Sequence, residues 1–298
     1  MSSSKITVSP AAIAEIVRHV LERRAGSVVT GEAPYLLFHS PRAEALKAEI
    51  VSAGRKLWER QYVDGNGGNI SARLSAEYVL CTPTMLSKAD LRAEDLSLVD
   101  LENRQIVGNR PQTSEIRLHL EIYKAVPQAQ AVIHCHPPYA TAHAVAGVVP
   151  QGNLVPEQEV FIGPVVLAPY ETPGTTEFAQ TVLPTVRQHN TILLANHGIV
   201  CWADTVTHAE WYAEVIETYC KTVMIASQLK SPLPEIPPNK VDELLAIKKR
   251  LGLPDARIPF EGEADEAEAG ASSSGHEDIE SLVAAVTAEV LRYLEGAG

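Results

Sequence analysis

Between residues 78 and 229 short apolar runs alternate with longer stretches of helical periodicity, and this alternation restricts the chain to a layered α/β domain. The runs YVLCT (78–82), SLVD (97–100), AVIH (131–134), VVLA (165–168) and ILLA (192–195) read as strands, while 114–125, 175–188 and 205–229 read as helices. Arg42 to Gln61 also carries helical periodicity and leads into this region, so the domain is expected to span residues 41–260. The prolines of SPLPEIPP (231–238) end the long helix, and a short helix near 241–250 follows.

Two flanking segments differ in character. Ser9 followed by Pro10 opens an amphipathic helix to Ala25, with Ile13, Ile16, Val17, Val20 and Leu21 on one stripe, and Gly26–Pro41 reads as a linker completing an N-terminal region of residues 1–40. At the other end, residues 261–278 are acidic and almost free of large apolar groups, which predicts a flexible linker. Residues 279–298 then show Ile279, Leu282, Val283, Val286, Val290 and Leu294 at helical spacing, an amphipathic helix on a tether.

The acidity of the chain is confined to that tail. Of the formal net charge of −12, residues 261–298 contribute −9, from ten acidic residues and one basic. The body is near neutral and lacks a Lys/Arg cluster, which argues against a nucleic-acid partner. No apolar run approaches a bilayer span and the start MSSSKITVSP has no signal-like apolar segment, so the expected location is cytoplasmic with no membrane association. Cys81, Cys135, Cys201 and Cys220 form no CxxC pair and read as reduced, packed thiols. A metal would therefore have to be held by histidine and carboxylate.

VIHCHPP supplies such ligands. The strand period of two puts His134 and His136 on one face and Cys135 on the other, although an HxH at a strand end serves structure as often as metal. His197 in LLANHGIV lies where a strand meets a polar turn, and alone it reads as a hydrogen-bonded turn residue. Glu115 in QTSEIRLH opens a helix, where an acid favours the macrodipole. Together the four form a His₃Glu set able to hold a divalent ion and exchange protons. GNGGNIS (65–71) and CTPTMLSKAD (81–90) read as glycine- and hydroxyl-rich loops beside strands, suited to a phosphate.

From Ala43 to Leu229 the order GGNIS, CTPT, TSE, HCH, APYETPGT, NHG resembles the class II aldolase/adducin family. The resemblance implies a three-layer α/β/α domain with a central mixed sheet and a homotetramer. It also implies zinc on His134, His136, His197 and Glu115, with Glu115 as proton donor and acceptor. Gly68, Asn69, Thr84, Met85, Thr113 and Ser114 match the phosphate- and substrate-binding positions, with Met85 standing where glycine is common. The segment VVPQGNLVPEQEVFIG, where the family's tyrosine proton donor lies, contains no tyrosine.

The implied reaction is cleavage of L-fuculose 1-phosphate or L-rhamnulose 1-phosphate to dihydroxyacetone phosphate and L-lactaldehyde. Epimerisation, dehydration and decarboxylation of sugar phosphates are alternatives on the same fold, and a metal-free, adducin-like interaction protein is disfavoured by the complete His₃Glu set. No Schiff-base lysine is required: Lys88, Lys124 and Lys221 read as surface or phosphate-edge charges, and His119 and His143 as residues that pack near the ligands or support them. The tail resembles the encapsulation peptides that bring enzymes to shell proteins of bacterial microcompartments; docking on its own oligomer is the other reading.

Overall fold

A computed structural model describes residues 32–258, which from Pro34 onward belong to one compact unit. The expectations for the Ser9–Ala25 helix, the 261–278 linker and the 279–298 helix lie outside the described residues.

The elements run α1 (Glu32–Phe38), α2 (Pro41–Glu59), β1 (Asn69–Arg73), β2 (Tyr78–Cys81), β3 (Ser97–Asp100), β4 (Gln105–Val107), α3 (Ile116–Ala125), β5 (Ala131–Cys135), α4 (Pro138–Ala146), α5 (Pro156–Phe161), β6 (Val166–Ala168), α6 (Thr176–Gln180), β7 (Thr191–Leu194), β8 (Gly198–Ala203), α7 (Val206–Leu229) and α8 (Pro238–Arg250). The eight strands form one sheet in the order β4-β3-β2-β1-β5-β8-β7-β6. Neighbours are antiparallel except β6 and β7, so the sheet is mixed.

Strand alternation sends β5 to both faces. Ala131, Ile133 and Cys135 join a core with Ala43, Ile50 and Leu57 of α2, Ala140 and Ala144 of α4, and Ala209, Ala213 and Ile216 of α7. Val132 packs on the opposite face with Ile116, Leu118, Leu120 and Ile122 of α3 and Phe178 and Ala179 of α6. Helices thus cover both faces, giving the expected three layers. Local chemistry sets the helix starts: Ser40 Oγ accepts from Ala43 N–H at 3.2 Å with Pro41 in the first turn of α2, and Thr205 Oγ1 accepts from His208 N–H at 3.0 Å to open α7.

Several expectations need correction. The Gly26–Pro41 stretch is not linker throughout, because α1 occupies Glu32–Phe38 and seats Phe38 in the core, with the Lys47 ammonium 3.6 Å from its ring centre. The helix expected over 175–188 closes at Gln180 and continues as turns; Pro184, lacking an N–H, cannot extend a helical ladder there. Asn69–Ser71 of the supposed glycine-rich loop forms the start of β1. Strands β4 and β8 and helices α4 and α5 were not anticipated. All four cysteines are buried and free, as expected.

Candidate metal centre

The start of β1, the end of β5 and the start of β8 share one end of the sheet, because β5 runs antiparallel to both neighbours and His134 lies opposite Asn69 on one side and Val200 on the other. His134 is the penultimate residue of β5, and His136 follows as the chain leaves the strand for α4. His197 sits in the three-residue connection between β7 and β8, where Leu194 pairs with Gly198 and Asn196 adopts φ 55°, a left-handed conformation that asparagine tolerates. Gly198 lets this turn approach: a Cβ there would lie 2.5 Å from Cys135 O and 2.7 Å from His136 Cδ2. Gly68, at φ +68°, is constrained likewise, its Cβ position being 2.5 Å from Val63 Cγ1 and 2.9 Å from His134 O.

The imidazole ligand atoms of His134, His136 and His197 all lie within 4.8 Å of one another. His134 Nδ1–H donates to Ile199 O at 2.8 Å, so its bare Nε2 faces His136 Nε2 at 3.0 Å. Glu115 joins this cluster from the residue before α3, with Oε2 3.4 Å from His134 Nε2 and Oε1 3.5 Å from His197 Nε2. Tetrahedral ligands about 2.0–2.1 Å from an ion stand roughly 3.3–3.4 Å apart, so these separations suit a small divalent cation. A further observation fits one: Glu115 Oε1 is buried without a hydrogen-bond partner. Burial, as the largest cause, holds the pKa values of all three histidines below the usual range, and for His134 the two neighbouring imidazoles add to it. Neutral imidazole is the form that ligates.

Asn69 Nδ2 donates to Glu115 Oε2 at 2.8 Å, while its Oδ1 lies 2.6 Å from His119 Nε2. The loops expected to meet a phosphate adjoin the cluster. Thr113 N–H donates to Thr82 O at 3.0 Å and Thr84 N–H to Pro111 O at 3.1 Å, joining the CTPT and TSE segments. Thr113 is buried, its hydroxyl 3.4 Å from Glu115 N, whereas Ser114 is exposed and Thr84 half-buried. Met85 is 77% exposed at φ 57°, and its Sδ lies 3.5 Å from Asn66 Nδ2.

The reading of Lys88 as a surface charge is corrected. Lys88 is 2% exposed, and its ammonium donates to Asn66 O at 3.2 Å and Leu86 O at 3.0 Å, tying the two loops together. Burial brings its pKa down to about 8, against the upward pull of Glu115. Lys124 does lie at the surface, paired with Glu121, and Lys221 is exposed. His143 donates to or accepts from no ligand residue; its Nδ1 lies 2.9 Å from Val148 O. Sequence reasoning missed Ser71, which contacts His119, and Tyr123, which contacts Ser71; their signal was the spacing Glu115, His119, Tyr123 on one helical stripe facing Asn69 and Ser71 on one strand face.

Comparison with known proteins agrees with this architecture. A curated 3-oxo-tetronate 4-phosphate decarboxylase of Haemophilus influenzae is 33% identical over 59% of this chain and 86% of its own length. An L-fuculose phosphate aldolase of Methanococcus maripaludis is 35% identical over 61% of this chain and 98% of its own. A solved structure of L-fuculose 1-phosphate aldolase superposes with a TM-score of 0.64 at 26% identity, covering 70% of this chain and 97% of that one. The sequence profile described as Class II Aldolase and Adducin N-terminal domain matches residues 48–224, the stretch that builds both faces of the sheet and every residue of the histidine–glutamate cluster. The chain therefore belongs to the class II aldolase and adducin family.

Proposed function

We propose that this metal-dependent lyase cleaves a ketose 1-phosphate, L-fuculose 1-phosphate or L-rhamnulose 1-phosphate, to dihydroxyacetone phosphate and L-lactaldehyde, with zinc held by His134, His136, His197 and Glu115. The convergence of three neutral imidazoles on a carboxylate with one unpartnered oxygen carries the reading. A divalent ion bound there supplies Lewis acidity to the ketose carbonyl.

The protein's own residues do the rest. Glu115 Oε2 is engaged by Asn69, leaving Oε1 as the open acceptor for the C4 hydroxyl proton. As that proton leaves, the C4–O bond becomes a carbonyl, the C3–C4 bond breaks, and its electron pair passes to C3 and the adjoining carbonyl. Glu115 then returns the proton to C3, so the carboxylate is regenerated. Phe178, whose ring centre is 5.4 Å from that of His197, places a buried apolar ring beside the site. Gly68, Asn69, Thr84, Met85, Thr113 and Ser114 form the phosphate and substrate edge in this reading.

Decarboxylation of a 3-oxo acid phosphate is the second reading. It is favoured by the Haemophilus relative and by residues 148–163, which contain no tyrosine, since losing carbon dioxide leaves no aldehyde to protonate. The deciding assay measures dihydroxyacetone phosphate and carbon dioxide release from ketose 1-phosphates, ketose 5-phosphates and a 3-oxo-tetronate 4-phosphate, using zinc-loaded protein. Aldol products from a 1-phosphate are expected; inactivity on every 1-phosphate sinks the aldolase reading. Homotetrameric assembly and delivery to a microcompartment lumen by residues 279–298 belong to the same proposal. Light scattering tests the first, and a reporter fused to residues 261–298, expected in shell fractions, tests the second.

A further inference from the structure

Behind Glu115 runs a line of buried polar side chains that makes no direct contact with the open side of the cluster. Glu115 Oε2 meets Asn69 Nδ2 at 2.8 Å, Asn69 Oδ1 meets His119 Nε2 at 2.6 Å, His119 Nδ1 meets Ser71 Oγ at 2.7 Å, and Ser71 Oγ meets Tyr123 Oη at 2.9 Å. His119, Ser71 and Tyr123 are all buried. Shielded from bulk solvent, each group in the line constrains the donor or acceptor role of the next.

The direction of every bond follows from Glu115. Asn69 Nδ2 donates to Glu115 Oε2, so the amide presents its NH₂ to Glu115 and its oxygen to His119. His119 Nε2 must then carry the proton. Burial depresses the His119 pKa to about 3, so the ring is neutral and Nδ1 is bare. Ser71 therefore donates to Nδ1, and Tyr123 donates to Ser71. All four bonds point toward the carboxylate.

We infer that His119 is a positioning residue: held as its Nε2–H tautomer by Ser71 and Tyr123, it locks the Asn69 amide and so fixes which oxygen of Glu115 faces the metal cluster unpartnered. Without the His119 donor, Asn69 Oδ1 is left buried without its partner and only the Glu115 contact holds the amide, which is then free to turn off Glu115 Oε2. The consequence is a mis-set base rather than an absent one. The inference rests on the lyase reading for its kinetic consequence, though not for its structural content.

The structural content is tested on metal-free protein labelled with ¹⁵N-histidine. His119 is expected as the Nε2–H tautomer between pH 6 and 8; the Nδ1–H tautomer, or rapid exchange between the two, overturns the relay. The kinetic content is tested with His119→Phe and His119→Gln on whichever sugar phosphate the wild type turns over. Phe should lower kcat roughly 10- to 100-fold with KM within about threefold. Gln, whose amide can donate to Asn69 Oδ1, should restore most of the loss. Wild-type kcat in the Phe variant, or a Gln variant as slow as Phe, overturns the role.

Co²⁺ spectra of the same proteins give a readout independent of any sugar: Phe should shift the ligand-field bands and Gln restore them, and identical spectra in all three count against the inference. Should the Phe variant not fold, Ser71→Ala replaces it and is expected to mix the His119 tautomers; an unchanged tautomer refutes the relay. If the wild type is inactive on every sugar phosphate, the function reading fails while the tautomer and Co²⁺ results still decide the relay.

Discussion

Gly198→Ala isolates the steric requirement of the histidine cluster proposed to hold the metal. The added Cβ would sit 2.5 Å from Cys135 O and 2.7 Å from His136 Cδ2, whereas ordinary contacts begin at 3.4 Å. Relief requires β8 to back away from Cys135 O by about 0.9 Å and the His136 ring to give by about 0.7 Å, each exceeding the roughly 0.5 Å tolerance of a working ligand set. Overpacking of this kind costs about 1–3 kcal/mol, or ~2–12 °C in Tm for a domain of this size.

Displacing His136 from the proposed ligand set adds a second effect, an expected loss of at least tenfold in affinity for a divalent ion, equivalent to about 1.4 kcal/mol. Gly147→Ala serves as the control, since Gly147 has φ +68° but nothing within 4 Å of its Cβ position. That variant should lose about 1 kcal/mol of stability through backbone strain alone and keep its zinc affinity. Calorimetric zinc titration of both variants, with melting of the metal-free proteins, provides the comparison. Wild-type affinity and Tm in Gly198→Ala, or equal zinc loss in Gly147→Ala, would refute the steric argument.

Other perturbations follow from the same geometry. His119 is held near pKa 3 when folded against about 6.5 unfolded, so below pH 6.5 the unfolded chain takes up a proton that the folded one refuses; metal-free stability should fall with acidification toward pH 3 by up to about 1.4 kcal/mol per pH unit from this residue. Urea denaturation of the metal-free protein between pH 7 and 5 should show a shallower pH slope for His119→Gln than for wild type; equal slopes contradict this. Asp255→Ala strips the fully buried Lys248 of the carboxylate 3.2 Å from its Nζ and should destabilise by about 3–5 kcal/mol, with a loss under ~1 kcal/mol counting against the pairing. Met85→Gly should gain about 0.5–1 kcal/mol, because an exposed methionine at φ 57° holds left-handed strain and buries little; a lower denaturation midpoint would refute it. Glu115→Gln should keep zinc and fold while abolishing turnover, and near-wild-type activity would remove Glu115 as the base.

Much of this was legible in one sequence because the signals are local. The apolar runs at 78–81, 97–100 and 131–134 became strands because β-branched and aliphatic side chains alternate there between two buried faces. Two of the strands that were missed lack that mark: β1 begins at Asn69 beside three glycines, and β4 has exposed residues at the sheet edge; β8 carries it in GIVCWA but follows β7 after only three residues. Helix α6 stopped short for a reason visible in the sequence, Pro184, that periodicity alone outvoted.

The residue types of the site were also readable, not one by one, since each has a common structural use, but from the order GGNIS, CTPT, TSE, HCH, APYETPGT, NHG along the chain. Their partners were not. That Asn69 holds Glu115, that Lys88 is buried between two loops, and that His119, Ser71 and Tyr123 form a directed line depend on which face of α3 lies over which face of β1. The sequence by itself determined the α/β layering, the family and the four candidate ligands, because periodicity and motif order are properties of neighbours along the chain. Only the tertiary structure decided the donor direction at each nitrogen and oxygen, because a buried hydrogen bond joins residues tens of positions apart and its polarity is set by the whole chain of partners.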